Sequence, residues 1–150
     1  MSIIEVNQLT KVYGSGDTAV KALDGVSLTI DAGKLVAVMG PSGCGKSTLL
    51  HLIGGLDRPT SGTVLIEGRD ISRMKDDELT TLRRQKMGFI FQFFNLIPVL
   101  TAEENTALPL ILDGVKQQKA AGIAAEWLGK NKLADRTHHR PDELSGGQQQ

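Results

Sequence analysis

Nine consecutive residues, Gly40, Pro41, Ser42, Gly43, Cys44, Gly45, Lys46, Ser47 and Thr48, place glycines, a lysine and hydroxyls at the spacing that grips a triphosphate. The glycines let the backbone curl until several N–H groups aim at one anion, and a helix starting near Lys46 turns its positive end to the same point. Lys46 then serves as a point charge for the β- and γ-phosphates. Ser47 offers a hard oxygen to the Mg²⁺ that accompanies them. The stretch therefore predicts a nucleoside triphosphate site. Cys44, the lone cysteine, reads as a small loop residue and excludes an intrachain disulfide, which fits a reducing cytoplasm.

A second constellation, Leu144-Ser145-Gly146-Gly147-Gln148, follows about 100 residues later. Ser145 suits a helix N-cap, and Gly146 and Gly147 let backbone amides close on an anion, so the string ending in Gln148 reads as a second phosphate reader. One chain has little use for two γ-phosphate cradles.

These residues need elements to position them. The apolar run Leu35–Met39 predicts a buried strand feeding the phosphate loop, and further strand signals lie at Ile3–Val6, Val26–Ile30, Val64–Ile66 and Met87–Phe91. Turn-prone pieces at Gly14–Asp17 and Glu67–Asp70 separate them. Helices are expected at Lys46 to about Ile53, at about Asp77 to Gln85, after the capping-box pair Thr101 and Glu104, and over Lys116 to Lys130 with Ile123, Trp127 and Leu128 partly on one face. The cluster at Phe91–Phe94, together with Phe89 and Trp127, is expected in the core. A 150-residue chain that is 40% hydrophobic can build a sizeable core. Its 17 basic and 17 acidic residues balance, so no global field points to nucleic acid. No secretory signal is expected, since the opening Met1–Glu5 lacks a charged region leading into a long apolar core. The segment Phe89–Leu100, broken by Gln92, Asn95 and Pro98, is far short of the ~20 apolar residues of a membrane span.

Taken together, the two motifs in this order and at this distance resemble the signature of the ATP-binding-cassette (ABC) ATPases. The resemblance implies an α/β P-loop NTPase fold of ABC type, with an antiparallel β subdomain, a partial parallel core sheet and a helical subdomain. It divides the chain into a nucleotide-binding core over about 1–94, a helical subdomain over about 95–144 and the start of the signature helix at 144–150. It implies that Tyr13 stacks on the adenine of ATP. Gln92 would touch Mg²⁺ and the attacking water and sense a transmembrane partner, which makes Lys46 and Gln92 the catalytic candidates. The signature residues Ser145–Gln148 would read the nucleotide held by a second copy in a head-to-tail dimer. His51 reads as a packing or surface residue, and neither His138 nor His139 matches the family's switch histidine.

Along its whole length the chain is similar to the macrolide-export and lipoprotein-release branch, on the stretches Gly54–Gly62, Asp77-Glu78-Leu79 and Phe91–Pro98. Such subunits are cytoplasmic ATPases docked on a permease at the inner face of the membrane, with a docking rim expected at Phe93 to Glu104. The apolar strand ending in Asp-Glu and the switch histidine of the family do not occur after Gln92. The 150 residues thus resemble the first two-thirds of a subunit, which without the catalytic glutamate is not expected to turn over. A nucleotide-binding module without turnover and a non-transport ABC ATPase are the alternative readings.

Overall fold

The computed structural model describes residues 1–150 and divides into two compact units, Met1–Met87 and Gly88–Gln150. The first unit is built on a long hairpin. Strand β1 (Ser2–Tyr13) and strand β2 (Val20–Asp31) pair antiparallel around the turn at 14–19, β3 (Ser61–Ile66) pairs on the other edge of β1, and the short β4 (Arg69–Asp70) closes the order β2-β1-β3-β4. Strict alternation along β1 would bury Val6 and Gln8. Instead Gln8 takes a positive φ of 46° in an irregularity between Val6 and Leu9, and Leu9 turns inward with Val6. The bulge lets β1 run far beyond the expected Ile3–Val6.

Helix α1 (Lys46–Ile53) has the expected bounds and buries Leu49 and Leu52, while α2 (Asp76–Lys86) buries Leu79 and Leu82. These pack with Val6, Leu9, Leu23, Val64, Ile66 and Ile71 into one core. Each such aliphatic side chain contributes about 1.5–3 kcal/mol on burial. Charge supports α2 at both ends, with acids at 76–78 in the first turn and Arg83, Arg84 and Lys86 in the last. Arg83 donates to the Gly55 carbonyl at 2.7 Å and ties α2 to the end of α1.

Two strand expectations are corrected. Leu35–Met39 and Met87–Phe91 belong to no ladder, and the sheet is wholly antiparallel, so the partial parallel core sheet is not formed among these residues. The reason is pairing: an apolar strand is buried only when neighbours flank it, and here Leu35 and Met39 stand 103% and 87% exposed.

The second unit is helical. α3 (Ala102–Leu112) and α4 (Gln117–Lys130) meet through Ala107, Ala120 and Ala124, whose small side chains let the two helices approach closely. Ala102 and Leu128 form a second cluster with Leu144, next to the short α5 (Gly146–Gln149). Thr101 and Glu104 make the expected reciprocal cap, at 3.2 Å and 2.8 Å. Trp127 was expected in the core but is 55% exposed, with the Lys130 ammonium 4.8 Å from its ring centroid. The small residues of α4, not its largest, face α3. Phe89 and Phe91 also fall outside the core and stack on each other, 5.7 Å between centroids. Phe93 is exposed and Phe94 is half-buried.

Candidate functional site

In the first unit, the segment 40–45 winds into the N-terminus of α1. Gly43 and Gly45 hold φ values of 79° and 89°, left-handed backbone that a β-carbon resists. Gly45 is the N-cap of α1, and a Cβ built there would lie 2.3 Å from the carbonyl oxygen of Ala22 on β2, so only glycine fits. The Lys46 ammonium folds back over the loop, donating to the carbonyls of Gly40 (2.9 Å) and Pro41 (2.6 Å) and standing 3.6 Å from Cys44 Sγ. Pro41, Ser42, Gly43, Cys44 and Ser47 are exposed, whereas Thr48 is half-buried. A cation, the amides of an exposed loop and the positive end of a helix thus meet over residues 40–48, which suits a polyphosphate.

Tyr13 ends β1 opposite Val20 and is exposed. Its hydroxyl donates to Asp57 Oδ2 at 2.9 Å, and Lys11 Nζ donates to Asp57 Oδ1 at 2.7 Å. Burial pushes the Asp57 carboxyl up, but the Lys11 and Arg58 hydrogen bonds, the Tyr13 hydroxyl and the Lys11 charge outweigh it and hold the group below the usual aspartate value. Sequence reasoning missed Asp57, because an aspartate past a helix end reads as a turn residue and its partners lie 44 and 46 positions upstream.

In the second unit, Gln92 is exposed in a turn closed by the Phe94 amide on the Phe91 carbonyl, and Phe94 and Asn95 both take positive φ. Ser145 occupies the N-cap position of α5, its amide donating to Gln148 Oε1 at 2.9 Å. Gly146 and Gly147 are exposed, and a Cβ on Gly146 would lie 3.8 Å from Phe94 Cζ, so Phe94 stands beside the first signature glycine while Gly147 faces open space. Gln149, also missed, holds the turn ahead of α5 through the carbonyls of Pro141 (2.7 Å) and Leu144 (3.0 Å). His51 and His138 are exposed, while His139 packs beside Arg136. A cleft of about 580 Å³ in this unit is lined by Leu96, Asn105, Trp127, Leu128, Leu144 and Gln148 among others, mostly apolar carbon and amide, unlike the phosphate loop.

The profile of the ABC transporter family matches residues 23–150, which include both the phosphate loop and the signature. The chain belongs to the ABC transporter family. The cassette is 52% identical over 149 residues to the lipoprotein-releasing system ATP-binding protein LolD of Geobacter metallireducens, covering 99% of this chain and 66% of that protein. It is 50% identical over 152 residues to the macrolide export ATP-binding/permease protein MacB of Hyphomonas neptunium, covering 99% of this chain and 23% of that one. Among solved structures, the cassette superposes on the dimeric post-hydrolysis state of the ATP-binding cassette MJ0796 bound to ADP and Pi, with a TM-score of 0.88, 45% identity and coverage of 97% of this chain and 65% of that one. The ABC cassette described here spans about two thirds of the length of LolD and of MJ0796. No helix is long and apolar enough to cross a membrane.

Proposed function

We propose that the cassette is the ATP-binding part of a transporter subunit that couples ATP binding and hydrolysis to export or release of a substrate through a membrane permease. One observation carries this reading: the glycine loop at 40–45 delivers Lys46 and open amides to the N-terminus of α1. Lys46 and the amides of 43–48 grip the triphosphate, and Tyr13 receives the adenine. Ser47, an exposed hydroxyl on the first turn of α1, is a hard donor of the kind Mg²⁺ takes, and Gln92 is the second candidate ligand. When bound, that ion neutralises charge on the β- and γ-phosphate oxygens. Residues 1–150 hold no group of three or more His, Cys, Asp or Glu residues that could bind a metal.

Ser145, Gly146, Gly147 and Gln148 read the nucleotide of a second copy arranged head to tail. This agrees with the dimeric description of MJ0796. The likeness to LolD and MacB supports a permease partner of the lipoprotein-release and macrolide-export branch, which the cassette would meet at the inner membrane face through the rim at Phe93 to Glu104. Residues 1–94 then form the nucleotide-binding core and 95–144 the helical subdomain, with the signature helix starting at 144–150.

The test uses the full-length protein with ATP and Mg²⁺, followed by sedimentation and phosphate release. ATP-dependent dimers and steady release that vanish on Lys46→Ala are expected. Release that survives Lys46→Ala, or ATP binding without any dimer under conditions of turnover, overturns the proposal.

A further inference from the structure

The turn after α1 holds a carboxylate whose two oxygens are both committed. Asp57 Oδ1 accepts from the Lys11 ammonium and from the Arg58 amide, each at 2.7 Å, and Oδ2 accepts from the Tyr13 hydroxyl at 2.9 Å. Lys11 Nζ also donates to the Arg58 carbonyl at 2.7 Å and stands 4.8 Å from the Tyr13 ring centroid. Lys11 is itself well covered, its side chain only 13% exposed. Arg58 anchors the turn from the other side, with its guanidinium on Asp76 Oδ1 at 2.6 Å and on the Met74 carbonyl at 2.9 Å. An exposed aromatic side chain ordinarily changes rotamer within picoseconds to nanoseconds. Here the ring is held at its hydroxyl by a charged acceptor and along one face by a cation, and only the opposite face can receive a flat partner.

We infer that Asp57 is a positioning residue for the nucleotide base: through Lys11 and the Tyr13 hydroxyl it fixes the Tyr13 ring with one face presented for stacking. The inference rests on the reading of Tyr13 as the adenine platform. Asp57 follows the C-terminal end of α1, the helix that starts in the phosphate loop, so a single 8-residue helix joins the grip on the phosphates to the support of the base. Preorganising the platform lowers the ordering cost of binding, which is where affinity is gained without a new contact to ligand.

The experiment measures affinity for ATP and for inorganic tripolyphosphate, which has no base, in the full-length protein and its variants. Tyr13→Ala should weaken ATP about 5- to 100-fold and leave tripolyphosphate unchanged. Asp57→Ala and Tyr13→Phe should each weaken ATP about 2- to 10-fold with tripolyphosphate again unchanged. The Asp57→Ala/Tyr13→Phe double variant should bind ATP no more weakly than Asp57→Ala alone, because both changes remove the same restraint. If Tyr13→Ala weakens ATP while Asp57→Ala and Tyr13→Phe do not, the positioning role falls and the stacking reading stands. If Tyr13→Ala changes nothing, both fall. An equal loss of ATP and tripolyphosphate in Asp57→Ala shows that the carboxylate only supports α1 and its loop, which also overturns the inference. Should Asp57→Ala fail to fold, Tyr13→Phe decides by itself, since it leaves the Lys11–Asp57 pair in place.

Discussion

The ammonium of Lys46 lies 2.6 Å from the carbonyl oxygen of Pro41, folded over the loop that it serves. A neutral carbonyl is a weaker acceptor for an ammonium than an ionised phosphate oxygen, so a triphosphate takes this lysine over with a net gain. Lys46→Ala removes that gain and should abolish measurable ATP binding by calorimetry. Affinity within about twofold of the parent would show that the amides alone hold the anion. Ser47→Ala should weaken binding mainly when Mg²⁺ is present, and equal losses with and without the metal would remove Ser47 from the metal shell.

Gly45 is the residue of the loop least able to change. Alanine there would bear the strain of φ 89° and drive its β-carbon to 2.3 Å from the Ala22 carbonyl oxygen and 2.9 Å from Leu23 Cδ2. Gly45→Ala should cost at least about 2 kcal/mol in urea unfolding of the full-length protein and lose nucleotide binding with it. A variant of parental stability would mean that β2 yields to the loop.

Asn105 clamps the chain ahead of α3. Its Oδ1 accepts from the Ile97 amide at 2.8 Å, and its Nδ2 is shared among the carbonyls of Ile97, Leu100 and Thr101, each at 3.1 Å. Asn105→Ala should cost about 1–3 kcal/mol and expose residues 97–101 to limited proteolysis. Asn105→Asp should be worse, since it sets a carboxylate against three carbonyl oxygens. Unchanged cleavage in both variants would refute the clamp.

The Asp57 carboxyl titrates below the ordinary aspartate range in the folded protein, through bonds that the unfolded chain lacks. Its contribution to stability is therefore complete above the unfolded value and disappears as pH falls through the lower, folded value. The stability gap between the parent and Asp57→Asn should be constant near neutrality and narrow in acid. A gap that widened on acidification would reverse the assigned direction of the shift.

The phosphate loop and α1 were legible because their signals are local: glycine spacing, one lysine and a helix that begins at Lys46 and stops at Gly54. The reciprocal pair Thr101 and Glu104 is local in the same way. What the sequence hid was long-range or depended on neighbours. Asp57 meets Lys11 and Tyr13 only because β1 continues past its bulge at Gln8, which no alternation pattern announces. Leu35–Met39 carries a strand's composition, yet composition supplies no partner strand, and Trp127 is outcompeted for the helix interface by Ala120 and Ala124.

The close fit of Gly45 against Ala22 also gives an expectation for the order of events during folding. The β1–β2 hairpin closes across a short connection, Tyr13 pairing with Val20, and such local closure takes microseconds. The glycines of the loop reach left-handed conformations unaided, but the loop has a surface to pack against only once β2 is in place. Helix α1, at 8 residues too short to persist by itself in water, waits on the same surface. Nucleotide is thus expected to arrive late on the folding route, slowing unfolding by binding what the hairpin has shaped rather than speeding the hairpin's closure.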